Sequence, residues 1–98
     1  MKTIVLNQYG PIISNKEIGE QILKLIETSL AKEQKIKIDL ADIKSMATFC
    51  AKQIFGFLYL KLGPESFFDR IEFINTSNDL KTIIKIGIQS ALEMSQES

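Results

Sequence analysis

The sequence predicts a single α/β domain, with a mixed sheet of about four strands and helices mainly on one of its faces. Three observations lead there. Short β-prone runs alternate with longer stretches of helical periodicity along the chain. One of those runs, Lys35–Leu40, alternates strictly between polar and apolar residues, the pattern of a strand with one wet face. Finally, 98 residues, 45% of them apolar, suffice for one core and leave no room for a second.

Taken in order, Thr3–Leu6 is a β-prone run, and Tyr9-Gly10-Pro11 after it is a turn signal. Ile12 and Ile13 are then placed to pair back as a short second strand. Ser14-Asn15-Lys16-Glu17 has the spacing of a capping box. Ile18, Ile22, Leu25, Ile26 and Leu30 follow on one helical face, with Glu20, Lys24 and Glu27 toward solvent. In the alternating run, Ile36, Ile38 and Leu40 share one side; Lys35, Lys37 and Asp39 share the other. A strand held between two helix layers reads as a continuous apolar run instead, so the sheet is expected to be covered on one side. A middle helix is expected over Ser45–Leu62, stopped by Gly63 and Pro64. Ile71–Ile74 reads as another strand. Thr76 or Ser77 then caps a last helix presenting Leu80, Ile83, Ile84, Ile88, Ala91 and Leu92. Gly87 within that helix costs about 1 kcal/mol against alanine, which points to close packing against a neighbour. No repeat or linker interrupts the chain, so residues 1–98 read as one domain.

Composition excludes several classes of function. Twelve lysines and arginines balance twelve aspartates and glutamates. A protein that grips phosphate backbones carries a basic excess, so nucleic acid is not an expected partner. There is no histidine, which removes the commonest general base and metal ligand. Glycines at 10, 19, 56, 63 and 87 are too scattered for a phosphate-cradling loop. The lone cysteine, Cys50, forms neither an internal disulfide nor a zinc cluster and reads as a small buried hydrophobe. No cofactor, metal or catalytic residue is therefore expected. Asp39 and Asp42, the close aspartate pair, read as strand-end and loop charges before they read as a cation site or an acid–base pair. Arg70 is expected in a surface ion pair with Asp69 or Glu72. Met1–Leu6 lacks the apolar stretch of a signal peptide, and no run approaches the ~20 apolar residues of a membrane span. With one free thiol, the expected compartment is the cytoplasm.

The remaining candidates gather on the middle helix. At ~100° per residue, Ala47, Cys50, Ala51, Ile54, Leu58 and Leu62 form a broad apolar face, and Ser45, Thr48, Lys52 and Tyr59 lie opposite. Phe49, Gln53, Gly56 and Leu60 run beside the polar strip. Two large apolar residues flanking an outer glycine have two readings: they pack under the Pro64–Arg70 segment, or they meet a flat protein partner. Ser45 and Thr48 stand where a strand hands over to a helix. Ser45 is placed to cap that helix, an effect of about 1 kcal/mol. A phosphate on either hydroxyl would meet the positive helix end, with Lys44 and Lys52 close in sequence.

The element order resembles the STAS-type domain over nearly the whole chain, and most closely its STAS-like branch of unknown function. The stretches that carry this are Ile36–Ile43, Phe55-Gly56 with Leu58, Leu60-Lys61-Leu62-Gly63, Ile71–Asn75 and Leu80–Ile88. The family includes bacterial anti-sigma factor antagonists and the cytoplasmic tails of sulfate transporters. Asp39-Leu40-Ala41-Asp42-Ile43 matches the Asp-Leu-Ser-x-Val strand of antagonist-type members. Their next helix starts near Asp-Ser-Ser-Gly, where a partner kinase phosphorylates serine. Here the start reads Met46-Ala47-Thr48-Phe49, with Thr48 the nearest hydroxyl, Ala47 at the aspartate position and the glycine missing. The STAS-like branch has Ser-Phe followed by Asp-Glu, where this chain has Phe49-Cys50 and Lys52-Gln53; a lysine and a glutamine replace the acidic pair. The resemblance implies a non-enzymatic signalling module regulated by phosphate on Thr48 or Ser45. Its implied protein partner is a kinase-type ATPase or anti-sigma regulator, docked through the start and outer face of the middle helix. The expected contact residues are Phe49, Lys52, Gln53, Gly56 and Leu60, which also suit a homodimer. The alternative is a nucleotide or anion sensor using the same helix N-terminus.

Overall fold

The computed structural model describes residues 2–97, with side chains at 2–95. In chain order the elements are β1 (Lys2–Val5), a 3-10 turn (Leu6–Tyr9), β2 (Ile12–Ile13), α1 (Lys16–Lys32), β3 (Ile36–Asp39) and β4 (Ser45–Met46). There follow α2 (Thr48–Ala51), a π-helical stretch (Lys52–Gly56), α3 (Phe57–Leu62), α4 (Pro64–Arg70), β5 (Ile71–Ile74) and α5 (Asn78–Glu97).

The strands form two parallel sheets, where the sequence suggested one mixed sheet. β1, β3 and β5 make a three-stranded sheet in that order, and β2 pairs with β4 in a separate two-stranded one. The reason lies in the connections. Parallel neighbours need a long crossover, and α1 supplies it between β1 and β3, as the middle helix and α4 do between β3 and β5. The 3-10 turn and Gly10, at φ 101°, lead β2 away from β1 instead of folding it back. The Pro11 carbonyl then accepts hydrogen bonds from Lys44 N (2.7 Å) and Ser45 N (3.3 Å), which fixes β4 beside β2.

Register sorts the side chains of the larger sheet between a core face and an outer face. Ile4, Ile38 and Phe73 are aligned, as are Ile36 and Ile71, and these residues point into the core. Thr3, Lys37 and Glu72 form a row on the other face, next to Val5, Asp39 and Ile74. Lys37 and Glu72 approach to 3.7 Å there, an exposed pair of the sort worth about 0–1 kcal/mol. The core is filled from the helices. Ile22 and Ile26 of α1 are fully buried, each contributing about 1.5–3 kcal/mol by leaving water. Phe55 meets Phe73 edge to face at a centroid distance of 5.2 Å.

Helix ends depart from expectation in small ways with local causes. Asn15, not Ser14, caps α1: its Oδ1 accepts from Glu17 N (2.7 Å) and Ile18 N (3.2 Å). Ser77 caps α5 through Leu80 N at 3.2 Å. The middle helix begins at Thr48, because Ser45 and Met46 belong to β4, and Ala47 precedes it without a side-chain cap. Ser45 caps nothing. Gly63 (φ 85°) stops the middle helix as expected, but the chain turns at once into α4 with Pro64 in its first turn. Phe67 of α4 is fully buried and packs on Tyr59 at 5.4 Å, the anchor that makes this short helix worthwhile.

Arg70 does not pair with its acidic neighbours. Its Nη2 donates to the carbonyls of Leu30 (2.6 Å) and Glu33 (3.3 Å), and its Nε donates to that of Gln34 (3.0 Å). Leu30 and Glu33 carry orphan carbonyls of the end of α1, and Gln34 follows directly after its C-cap; a cation there is favoured by the helix dipole. Asp69 and Glu72 instead lie near Lys35 and Lys37.

Candidate functional site

The middle helix and α5 cross at their glycines. A Cβ on Gly56 would stand 2.7 Å from Ala91 Cβ and 2.9 Å from Gly87 O; one on Gly87 would stand 2.7 Å from Ala51 C and Lys52 N. This close approach bears out the packing expected for Gly87. It also buries Gly56, which therefore leaves the set of surface residues. On the helical wheel glycine carries no polarity, so nothing in the sequence marked it as a contact with α5.

Beside that crossing runs an apolar groove of about 660 Å³ between α1, the middle helix and α5. Leu23, Phe49, Phe57, Leu60, Ala91 and Met94 supply its apolar lining, with Lys52 and Gln53 among the polar groups. Phe49 is 52% exposed, Phe57 46%, Leu60 44% and Met94 57%. Phe49 and Leu60 thus line open surface and are not covered by α4. Lys52 Nζ donates to Met94 Sδ across the groove. Gln53 is half-buried and tied down: its Nε2 donates to Lys16 O at 3.0 Å, and its Oε1 is buried against Gly19 with no hydrogen-bond partner among the described residues. It braces the middle helix against the start of α1. Phe57, Leu23 and Met94 were not picked out in the sequence. Phe57 was within reach, since it stands eight residues, about two turns, beyond Phe49. Met94 belongs to a different helix and only the tertiary fold brings it in.

At the N-terminal end of the groove Thr48 is exposed in the first turn of α2, with Phe49 beside it. Lys52 is four residues on, and therefore on the same flank of the helix. Ser45 is also exposed but lies on β4, outside the helix. Ala47 N donates to Ile13 O at 2.8 Å, so the helix start is held by β2.

Residues 19–81 match the family model of the STAS-like domain of unknown function (DUF4325), well over half of the chain. The chain belongs to this family. Neither the curated proteins nor the solved structures contain a significant match. The STAS-like match runs from α1 into the first turn of α5, so the middle helix lies wholly inside it, whereas the Ala91 and Met94 wall of the groove lies beyond it.

The other candidate residues of this STAS-like domain have structural occupations. Asp39 Oδ1 accepts from Asn75 Nδ2 and from Ala41 N, both at 2.9 Å. The Asn75 bond first, and then the Ala41 bond, hold its carboxyl below the usual aspartate range. Asp42 occupies the following turn at φ 64° and Asn75 sits at φ 56°; the ends of β3 and β5 are joined by the Asn75–Asp39 bond and by Leu40 N donating to Ile74 O at 3.0 Å. No cluster of three or more His, Cys, Asp or Glu suited to a metal occurs among the described residues. Cys50 is fully buried, its thiol 3.6 Å from Asn15 O, and burial pushes its pKa up. A raised thiol pKa opposes the thiolate that nucleophilic chemistry needs. No described helix is long and apolar enough to cross a membrane.

Proposed function

We propose that this STAS-like domain is a non-enzymatic interaction module that docks a protein partner along the groove beside the middle helix. The observation that carries the reading is the half-exposure of Phe49, Phe57, Leu60 and Met94 around one depression. Contiguous apolar surface of this kind marks interaction sites far more often than isolated exposed side chains do. The non-enzymatic part rests on the employment of Asp39 in a turn and of Cys50 in the core. Phosphate on Thr48 regulates docking in this proposal. It would add about −1.5 to −2 charges beside Phe49 and one turn from Lys52, next to the apolar lining. Ser45, set apart on β4, is the weaker acceptor.

The test is affinity recovery from native cells with quantitative mass spectrometry, comparing wild type with Leu60→Lys and with Phe68→Lys, a control on the exposed face of α4. A partner retained by wild type and the control but lost by Leu60→Lys is the expected result. Recovery indifferent to Leu60→Lys would remove the groove as the docking site. For regulation, the measurements are phosphate on Thr48 or Ser45 in protein isolated from cells and the partner's affinity for Thr48→Glu. Absence of phosphate, together with unchanged affinity, would eliminate the switch while leaving the docking surface.

A further inference from the structure

We propose that the occupant of this groove is an amphipathic helix that places an acidic side chain among its apolar contacts. The inference rests on the docking reading above and names the chemistry of the partner.

Shape argues for a helix. The lining comes from side chains of three helices, so recognition is through apolar anchors and not through the backbone bonds of an added strand. From Phe49 to Leu60 the middle helix rises about 16 Å, close to three turns, which matches anchors spaced at three and four residues on a partner. A small ligand fits less well. Sites for small molecules bury roughly 70–90% of the ligand, whereas the walls here are themselves about half open to solvent.

Charge argues for the acid and against a second copy. Lys52 is the one ionic side chain among the described residues lining the groove. Lys35, Lys37 and Lys61 each have a carboxylate within ion-pair distance, whereas none of the ion pairs among the described residues includes Lys52. A wholly apolar partner would strip water from this ammonium and give nothing in return, a costly outcome for a charge. A carboxylate on the partner supplies a charge-assisted hydrogen bond at that point. Groove-on-groove pairing of two copies would bring together two such cations and no lining carboxylate.

The test is selection from a displayed library of random peptides of about 16 residues, long enough for four helical turns, on wild type and in parallel on Lys52→Glu. Circular dichroism checks folding, and Phe49→Lys stands in for Leu60→Lys should the latter not fold. Wild type is expected to enrich peptides with apolar residues at i, i+3 or i+4, and i+7 and an Asp or Glu among them. Those peptides should bind Leu60→Lys about tenfold more weakly or worse, and selection on Lys52→Glu should replace the acid with Lys or Arg. Groove-dependent peptides that lack the helical spacing, or whose acidic preference is absent or survives Lys52→Glu, would overturn the acidic-helix proposal and leave the docking reading standing. Failure to enrich, or enriched peptides indifferent to Leu60→Lys, would overturn both. A dimer seen by light scattering and dispersed by Leu60→Lys would make the occupant a second copy and overturn the proposal.

Discussion

Arg70 and Asp39 show how single side chains are used in this chain. The guanidinium of Arg70 satisfies carbonyls at the end of α1 from the far end of α4. Arg70→Met keeps much of the stem but leaves those carbonyls without their partner. It is expected to lower unfolding stability in urea by about 1.5–3 kcal/mol, the range for hydrogen bonds to charged groups, and Arg70→Lys should recover part of the loss. Asp39 acts through pH. Its carboxyl titrates below the ordinary aspartate value in the folded chain because Asn75 and the Ala41 amide bond its charged form. Its contribution is therefore fully present above the unfolded pKa, near 3.9, and is lost as pH falls through the lower, folded pKa. Asp39→Asn should be less stable than wild type at neutral pH, and the gap should close as denaturation is repeated toward pH 3. A gap independent of pH would mean that the lost bond does not depend on ionisation. Both residues were visible in the sequence as charges. Their partners, 36 to 40 positions away for Arg70 and at Asn75 for Asp39, were not, because local charge spacing ranks nearest neighbours first.

The elements were legible where periodicity was long. Seventeen residues of α1 and the alternation of β3 come directly from their apolar spacing. Elements of two residues do not announce themselves: β2 was placed against the wrong neighbour, and β4 was read as the start of a helix. Their pairing is decided by backbone bonds from Lys44, Ser45 and Ala47, whose side chains take no part. α4 was missed because Gly63-Pro64 is both a stop and a start, and only the burial of Phe67 shows that the second role is used. The crossing of α5 on the π-helical stretch gives a prediction with opposing contributions. Gly87→Ala gains about 1 kcal/mol of helix propensity but sets a methyl 2.7 Å from backbone atoms of Ala51 and Lys52. Backbone gives way poorly, and overpacking costs about 1–3 kcal/mol, so the net change should be destabilising, with a lower thermal midpoint by calorimetry. A stabilised variant would show that α5 shifts freely at this point.

Seen whole, the domain puts its larger sheet against the helices by one face and leaves the other to Thr3, Lys37, Glu72, Val5, Asp39 and Ile74. The alternating run Lys35–Leu40 already required a wet side; that every strand pair would be parallel did not follow from it, since alternation describes faces and not directions. The groove was half legible for the same reason. Phe49, Lys52 and Leu60 share one helix and were identified together, whereas Leu23 and Met94 join them only through the packing of α1 and α5. The clasp made by Arg70 bears on how the chain reaches this arrangement. It closes loops of 36 to 40 residues, and contacts at such separation are reached only after the entropy of loop closure has been met by others. We expect it to close on the late side of the folding barrier, so Arg70→Met should leave the refolding rate in stopped-flow experiments nearly unchanged and accelerate unfolding instead. This one side chain would then act as a latch on the finished molecule, governing how long it stays folded more than how quickly it gets there.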